Sequence, residues 1–217
     1  MTWIVFEGSE GVGKSTQIEL LFEHLLHKKI STIKTREPGG TPIAEEIRNL
    51  FKAQFEPDDQ FLKLTEFFLI SAARNEHFQK VIQPYLNKKF ILCDRFLDST
   101  YVYQNILGGV PKKTIDSATS EILKGQKPDV TFVLTCNQKI AMNRIQKNRE
   151  MEKDRFDNES LEFHEKLLKS YEKIVHENYT YPCGSVPLRI LIPTDKEPAT
   201  IFENILFHLN TTLGLSL

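Results

Sequence analysis

The sequence has few of the features that mark secreted, membrane-bound or nucleic-acid-coating proteins. Its 217 residues include only three cysteines, which are far apart and form no CxxC pair, so we expect free thiols in a reducing, cytoplasmic compartment. The longest apolar runs reach about five to seven residues, against the roughly 20 that span a bilayer. The start of the chain has no basic region followed by a long apolar segment, so we expect no secretory signal. With 28 basic and 29 acidic residues, the net charge of −1 gives no support for a partner that is nucleic acid or membrane.

What the chain does contain is a regular alternation of short apolar runs with amphipathic stretches. The predicted strands lie near 2–7, 31–35, 89–93, 129–135 and 188–192. The predicted helices lie near 14–28, 42–54, 60–86, 112–124, 137–148, 159–178 and 197–212. Because the strands are almost wholly apolar, they are typical of a parallel sheet that is covered on both faces. The sequence therefore predicts one α/β domain, 1–217, with a doubly wound parallel five-stranded sheet and helices on both faces.

Residues 8–15 read Gly-Ser-Glu-Gly-Val-Gly-Lys-Ser and match the phosphate-binding pattern G-x-x-x-x-G-K-[ST]. The pattern follows an apolar strand and opens a predicted helix, whose first N–H groups favour a bound phosphate. Lys14 can bridge the β- and γ-phosphates, and the hydroxyl of Ser15 can hold Mg²⁺. The alternative is a plain glycine turn, which does not explain why motif and context agree. The residues predicted to contact ATP are Gly8, Ser9, Glu10, Gly11, Val12, Gly13, Lys14, Ser15 and Thr16.

A phosphate-binding loop alone is compatible with a kinase, a GTPase or a motor ATPase. A GTPase usually carries N-K-x-D for guanine, and the nearest match, 87–90, reads Asn-Lys-Lys-Phe without the aspartate. A motor ATPase tends to carry a second acid after the aspartate that ends the next apolar strand, whereas here Asp94 is followed by Arg95. The planar fork of an arginine meets two phosphate oxygens at once. This pair therefore favours a kinase of a small phosphorylated acceptor.

Three further segments carry a resemblance to a known family. Residues 35–41 read Thr-Arg-Glu-Pro-Gly-Gly-Thr, 94–104 contain D-R-x-x-x-S-x-x-x-Y-Q, and 154–157 read Asp-Arg-Phe-Asp. Together with the phosphate-binding loop, over roughly 3–196, the chain resembles the thymidylate kinases of bacterial type. The resemblance implies a P-loop NTPase-type fold that transfers the γ-phosphoryl group of Mg-ATP to dTMP, giving dTDP and ADP.

The resemblance also assigns residues to the acceptor site. Arg95 resembles the arginine that binds the phosphate of dTMP, Arg74 and Gln104 match residues that read thymine, and Tyr103 resembles a ring that leaves no room for a ribose 2′-hydroxyl. Without the resemblance, ordinary helix packing would explain the last three, and an exposed helix charge is the alternative for Arg48. The implied dTMP-binding residues are Glu10, Arg36, Glu37, Pro38, Arg48, Ile70, Arg74, Arg95, Thr100, Tyr103 and Gln104. The implied metal-binding residues are Ser15, Asp94 and Glu37, and the bond between Glu37 and Pro38 is expected to be cis.

One position departs from the family pattern in a way that affects the acceptor pocket. Four residues before Arg74, the family usually has a phenylalanine that stacks on thymine, and this chain has Ile70. Either the isoleucine forms an aliphatic platform, or a neighbouring phenylalanine, Phe67 or Phe68, reaches into the pocket instead.

The polar segment 147–158 is predicted to be either a solvated helix end or a lid. Some relatives carry a catalytic arginine in the phosphate-binding loop, and this loop has none, so the resemblance implies that the lid supplies it. The residues predicted to be catalytic are Lys14, Arg95, Arg149 and Arg155.

Two rival functions are kept beside this interpretation. One is a kinase for dUMP, dCMP or a deoxynucleoside, which a titration of ADP formation against each acceptor would separate. The other is a non-catalytic regulator that binds ATP and a protein, which has no reason to keep these acceptor-site residues together. We expect dTMP and ATP as the ligands, and the resemblance implies a homodimer through helices like 42–54 and 60–86. Periodicity leaves open whether the phenylalanines of the second helix are core or interface.

Overall fold

A computed structural model describes residues 1–53, 55–56, 59–148 and 160–217, with the backbone alone at 146–148. The predicted lid, 147–158, therefore lies outside the described residues except for its first two backbone positions. No statement about the conformation of Arg149 or Arg155 follows from the structure.

The five predicted strands form one sheet, each within one or two residues of its predicted bounds. They are β1 (Trp3–Glu7), β2 (Thr32–Arg36), β3 (Phe90–Asp94), β4 (Val130–Thr135) and β5 (Arg189–Pro193). All neighbours are parallel, in the order β2-β3-β1-β4-β5. In the central pair, Phe6 of β1 is in register with Asp94 of β3. The loops that follow these two strands therefore start at the same edge of the sheet, where open α/β sheets bind their ligands.

Helices cover both faces of this sheet, as predicted. They are α1 (Lys14–His27), α2 (Pro42–Lys52), α3 (Lys63–His77), α4 (Leu97–Thr100), α5 (Lys112–Leu123), α6 (Gln138–Asn148), α7 (Leu161–His176) and α8 (Pro198–Leu213). The side chains of β1 divide the core: Trp3 and Val5 join the cluster under α3, α5 and α7, while Ile4 and Phe6 join the one under α1 and α8. None of the helices in the described part of the chain is both long and apolar enough to cross a membrane.

Two helical segments differ from the predictions. The predicted helix 60–86 is α3, which ends at His77, followed by a π-helical turn, Phe78–Ile82, and a 3₁₀ turn, Gln83–Tyr85. Pro84 lies in that last turn, where its missing N–H prevents the α-helical bond pattern from continuing. The segment 97–106 was not predicted as helical, yet α4 runs into a second π-helical turn, Tyr101–Ile106. This turn carries two of the predicted dTMP-binding residues, Tyr103 and Gln104, and π-helical turns are frequent at functional sites.

The loop between β2 and α2 is held by its own residues. The hydroxyl of Thr41 accepts a hydrogen bond from the N–H of Ala44, and Pro42 occupies the first helical position. The bond between Glu37 and Pro38 is cis, as predicted. This loop brings Glu37 to the carboxyl edge of the sheet, where its N–H donates to the carbonyl oxygen of Asp94.

Candidate active site

The predicted phosphate-binding loop joins β1 to α1 and is packed closely against its neighbours. Gly8 and Gly11 both have positive φ angles, 134° and 74°. A Cβ added at either glycine would lie 2.4 Å from a backbone oxygen, of Leu134 or Ala141 respectively. These positions therefore require glycine. No side chain caps α1, whose N-cap residue is Gly13, so the first N–H groups of the helix are available to an anion.

Lys14 is buried within this loop. Its ammonium group donates to the carbonyl oxygens of Gly8 and Ser9, at 3.0 and 2.7 Å. Burial, with the nearby charge of Arg95 adding to it, lowers the pKa of Lys14 to about 8. Ser15 and Thr16, by contrast, have exposed side chains at the start of α1.

A cleft opens beside the loop. The described residues that line it are Glu10, Glu37, Pro38, Arg48, Phe51, Lys52, Ile70, Arg74, Arg95, Phe96, Ser99, Thr100, Tyr103 and Gln104. The cleft thus brings together every residue predicted to bind dTMP except Arg36. That arginine is half-exposed, its guanidinium pairs with Glu45 at 2.9 Å, and it is not among the described residues that line the cleft. The structure does not place Arg36 with the other predicted dTMP-binding residues, because its guanidinium is paired with Glu45 of α2 instead.

Arg95 lies between the loop and the cleft. Its backbone adopts a left-handed conformation, φ 65°, which non-glycine residues rarely adopt and which is frequent at functional sites. One terminal nitrogen donates to the hydroxyls of Ser99 and Tyr171, at 3.2 and 2.7 Å. The other forms a salt bridge with Glu10 of the phosphate-binding loop. The guanidinium is thus fixed on two sides at the boundary of both sites.

The carboxylate of Glu10 joins three of the predicted residues. It accepts a hydrogen bond from the hydroxyl of Tyr103 at 3.2 Å in addition to its salt bridge with Arg95. Burial alone would raise the pKa of Glu10, but the charges of Arg95 and Lys14 outweigh it, and the pKa is lowered. The carboxylate therefore stays ionised.

Arg74 is buried at the far end of the cleft and has three hydrogen-bond acceptors. Its Nε donates to Glu37 at 2.7 Å, and one terminal nitrogen donates to the hydroxyl of Thr100 at 2.9 Å and to the carbonyl oxygen of Phe96 at 3.1 Å. The remaining terminal nitrogen, NH1, is buried without a hydrogen-bond partner. A buried guanidinium nitrogen without an acceptor is costly, so this atom is suited to bind a ligand oxygen.

The predicted metal-binding residues fall into two groups. Both carboxylate oxygens of Glu37 are engaged, one by Arg74 and the other by the Nδ1 of His77 at 3.0 Å. Asp94, at the end of β3, has a buried Oδ1 without a hydrogen-bond partner, and the hydroxyl of Ser15 is exposed. Asp94 and Ser15 therefore fit a cation better than Glu37 does. In the part of the chain that the structure describes, no group of three or more His, Cys, Asp or Glu side chains is arranged to hold a metal ion.

The pocket wall bears on the alternatives at Ile70. Ile70 lines the cleft, whereas Phe67 is buried in the core and Phe68 is 54% exposed. The structure thus favours the alternative in which Ile70 forms an aliphatic platform, and what contacts thymine stays a prediction. Besides Tyr103, the aromatic residues among the described lining of the cleft are Phe51 of α2 and Phe96, which follows β3.

Sequence reasoning assigned no role to several residues that contact the site. Ser99 belongs to the D-R-x-x-x-S pattern, so that pattern contained a signal for it, and Tyr171 lies on α7, after the Asp-Arg-Phe-Asp segment. Arg144 of α6 donates to the carbonyl oxygens of Gly11 and Thr194, at 3.4 and 3.0 Å, and so lies against the phosphate-binding loop. It stands in an ordinary amphipathic helix, and no pattern in the sequence sets it apart.

Comparison with known proteins identifies the family. The family model described as thymidylate kinase matches residues 6–183. The thymidylate kinase of Afipia carboxidovorans is 40% identical over 207 residues, which cover 94% of this chain and 86% of the relative. That of Acinetobacter baylyi is 36% identical over 95% of this chain and 98% of its own. The chain belongs to the thymidylate kinase family.

A solved structure agrees with this family assignment. The crystal structure of thymidylate kinase from Ehrlichia chaffeensis superposes with a TM-score of 0.71 at 29% identity, covering 96% of this chain and 98% of that one. Since the alignment includes nearly the whole of both chains, the parallel sheet, its helices and the edge that carries the cleft all belong to the thymidylate kinase fold.

Proposed function

We propose that the chain transfers the γ-phosphoryl group of ATP to dTMP, giving dTDP and ADP. The observation that carries this proposal is that Arg95 stands between the phosphate-binding loop and the acceptor cleft. From that position its guanidinium can hold an acceptor phosphate beside the phosphates of a donor nucleotide. Arg48, which lines the same cleft and donates to the carbonyl oxygen of Pro38 at 2.9 Å, offers a second cation.

Catalysis of phosphoryl transfer consists mainly of positioning and charge neutralisation. In the proposed reaction the N–H groups of the loop and Lys14 hold the donor phosphates. Each cation already has a partner within the chain: Lys14 has two loop carbonyls, and Arg95 has Glu10. A phosphate that binds must compete for these cations, so the carboxylate of Glu10 is expected to release Arg95 as the acceptor arrives.

Mg²⁺ is part of the proposal, and Asp94 and Ser15 are the residues that would hold it. The unpartnered Oδ1 of Asp94 and the exposed hydroxyl of Ser15 fit a hard cation that keeps several waters and binds mainly to substrate phosphates. When bound, the cation neutralises the charge that develops between the β- and γ-phosphates.

The acceptor base is selected at the end of the cleft that holds Arg74. The unpartnered NH1 of Arg74 offers a donor to a thymine carbonyl, and the amide of Gln104 offers both a donor and an acceptor. Tyr103 is tied to Glu10 through its hydroxyl, which fixes the ring beside the expected position of the sugar. A ribose 2′-hydroxyl would meet this ring and lose its hydrogen bonds to water.

The experiment that tests the proposed function is a comparison of acceptors at saturating Mg-ATP. ADP formation is measured with dTMP, dUMP, dCMP, UMP and thymidine. We expect dTMP to be the best substrate and UMP to be turned over far less efficiently. Equal efficiency for UMP and dTMP would contradict the role of Tyr103, and a preference for dCMP or a nucleoside would favour the rival kinases.

A pair of arginine variants makes the test sharper. Arg95→Ala is expected to abolish most of the activity, whereas Arg36→Ala serves as a matched control. Both arginines follow or end a strand at the same edge of the sheet, but only Arg95 lines the cleft. A non-catalytic regulator would show no nucleotide-dependent turnover in either variant or in the unaltered protein.

The proposed enzyme is cytoplasmic and homodimeric. The thiols of Cys93 and Cys136 are buried and that of Cys183 is exposed, and all three are free, which is the state expected in a reducing compartment. The proposed dimer face is the outer side of α2 and α3. Its exposed apolar side chains are Ile43, Leu50, Leu64 and Phe68.

A further inference from the structure

His77 is a buried side chain to which the proposed reaction assigns no role. It is the last residue of α3, its exposed fraction is 0%, and it is not among the described residues that line the cleft. A fully buried histidine requires hydrogen-bond partners, and the identity of those partners indicates its use.

Both ring nitrogens of His77 have partners. Nδ1 lies 3.0 Å from Oε1 of Glu37, and Nε2 lies 2.6 Å from the hydroxyl oxygen of Thr35. An ionised carboxylate only accepts, so Nδ1 donates to Glu37, and a neutral ring then accepts the hydroxyl proton of Thr35 at Nε2. The backbone closes over the ring as well, because a Cβ at Gly40 would lie 2.6 Å from Cδ2 of His77. The ring is therefore held in one orientation.

The fixed ring in turn fixes the carboxylate of Glu37. One oxygen accepts from His77 and the other from Nε of Arg74 at 2.7 Å. The carboxylate is therefore held from two sides and oriented toward the guanidinium.

The last member of this chain of contacts is the base-facing arginine. The guanidinium of Arg74 is held at Nε by Glu37 and at NH2 by Thr100, which leaves NH1 buried and without a partner. We infer that His77 is a positioning residue for nucleobase recognition, acting through Glu37 to hold NH1 of Arg74 toward the acceptor base. This inference rests on the proposed function, since it names the residue that sets the acceptor preference of the same site.

In the proposed site, phosphate binding and base recognition are carried out by different residues. Lys14 and Arg95 bind the phosphates, and neither contacts His77 through a described hydrogen bond. Loss of the His77 contact should therefore weaken discrimination between bases and raise the KM for dTMP, with little effect on kcat.

The test compares dTMP with 5-methyl-dCMP, which has the same methyl group, sugar and phosphate but an amino group in place of the 4-carbonyl. Selectivity is the ratio of the two kcat/KM values. In His77→Leu, where Oε1 of Glu37 loses its donor, we expect selectivity to fall at least about tenfold, with kcat within about twofold, as befits a lost hydrogen bond to a charged group. In His77→Asn the amide nitrogen takes the place of Nδ1, and we expect selectivity within about threefold of the unaltered protein.

The controls separate positioning from general damage to the fold. His24→Leu removes a histidine outside the site, which is partly buried on α1 against Phe202, and should leave selectivity unchanged. Circular dichroism checks that each variant folds. If His77→Leu does not fold, His77→Gln replaces it, because its longer amide reaches Thr35 rather than Glu37 and should lose selectivity where His77→Asn keeps it.

Three outcomes are distinguishable. Equal rises in KM for both nucleotides in His77→Leu, or an asparagine variant as unselective as the leucine variant, would overturn the inference while leaving the proposed function in place. The inference would also be overturned if His77→Asn and His77→Leu both kept the selectivity of the unaltered protein. The same holds for His77→Asn and His77→Gln where the leucine variant does not fold. An unaltered protein that converts no dTMP would overturn the proposed function, and the inference with it.

Discussion

At the scale of single residues, Lys14 shows how function opposes stability. Its pKa, lowered to about 8 by burial, lies below the ordinary value of 10.5. Between these two pH values the unfolded chain binds more protons than the folded chain, so stability rises with pH through this window. Below about pH 8 the ammonium is charged, and its burial lowers the free energy of unfolding of the ligand-free protein.

This cost predicts that Lys14→Met stabilises the ligand-free protein at pH 7 while abolishing activity. The expected gain is about 1–3 kcal/mol, since one pKa unit corresponds to about 1.4 kcal/mol and lost hydrogen bonds offset part of it. Thermal unfolding without nucleotide, at pH 7 and at pH 10, is the measurement, and the gain should shrink at the higher pH. Lys28→Met, an exposed lysine at the end of α1, should show no such pH dependence. A destabilised Lys14→Met variant at pH 7 would contradict the prediction.

Ile70 gives a second prediction at this scale. It lines the cleft where relatives are expected to place a ring on thymine, and a base–aromatic contact is worth roughly 1–3 kcal/mol by alanine substitution. Because neither Phe67 nor Phe68 lines the cleft, Ile70→Phe is expected to lower the KM for dTMP about fivefold or more, with kcat little changed. Steady-state kinetics in dTMP measure this. A many-fold higher KM in a folded variant would show instead that the pocket wall, with Phe51 and Phe96, has room for isoleucine but not for a further ring.

At the scale of elements, the sequence predicted the sheet well because its signals are local. Three of the strands, β1, β3 and β4, are largely apolar runs of five or six residues, and burial on both faces makes such runs stand out from the amphipathic helices. The phosphate-binding loop was equally clear, since its glycines and Lys14 are consecutive. The helical segment 97–106 was missed because its short α-helical part and π-helical turn do not repeat with the 3.6-residue period.

The candidate site was predictable as a set of residues but not as a set of contacts. The resemblance assigned Glu37 to the metal and Arg74 to the base, without connecting the two residues. Their direct pairing, across 37 positions of sequence, follows only when the loop after β2 packs against α3. His77 was missed for the same reason, because both of its hydrogen-bond partners lie about 40 residues away.

The helices on either side of the predicted lid bear on the two phosphate sites. Before it, Arg144 of α6 donates to Gly11 of the phosphate-binding loop, and after it Tyr171 of α7 accepts from Arg95. The segment between them therefore starts and ends on elements that contact the donor loop and the acceptor arginine. The predicted lid and its arginines lie outside the described residues, so its assignment stays a prediction.

The lid prediction concerns Arg149 and Arg155. Since the loop 8–15 has no arginine, Arg149→Ala is expected to reduce kcat at least about tenfold with little change in dTMP affinity, and Arg155→Ala to act in the same direction. Arginine fingers in phosphoryl transfer are worth about 10³–10⁵ in turnover, so a partial share would be measurable. Lys147→Ala is the control and should be nearly silent. Wild-type kcat in both arginine variants would contradict the lid-arginine mechanism, and the neutralising charge would have to be sought elsewhere, with Lys14 and Mg²⁺ the remaining candidates.

At the scale of the whole molecule, α3 has two faces with different roles. Ile70 and Arg74 face the cleft, and Phe67 is in the core together with Phe78, which follows the helix. Phe68, by contrast, is 54% exposed. Phe67 of this helix is thus a core residue, whereas Phe68 is a surface residue. Periodicity alone could not tell these two positions apart.

The outer face of α3 continues onto α2. Leu64 is 46% exposed beside Phe68, and Ile43 and Leu50 of α2 are 52% and 44% exposed. Scattered exposed apolar side chains are ordinary, but α2 and α3 pack against each other, and an apolar surface shared by two packed helices would be typical of an interface. The same helices carry the cleft on their inner side, so an interface here would support the walls of the active site.

The last prediction is that Phe68→Glu converts a homodimer into a monomer. The charge would be buried against its symmetry mate without a partner, which opposes association. Sedimentation equilibrium should give about twice the chain mass of 25.1 kDa for the unaltered protein and about one chain mass for the variant. Phe207→Glu is the matched control, because Phe207 is 61% exposed on α8 and should not affect assembly. If the monomeric variant binds dTMP more weakly while ATP affinity is retained, the interface also orders α3 for the acceptor. An unaltered protein that sediments as a monomer at micromolar concentration would show that this apolar face serves another purpose.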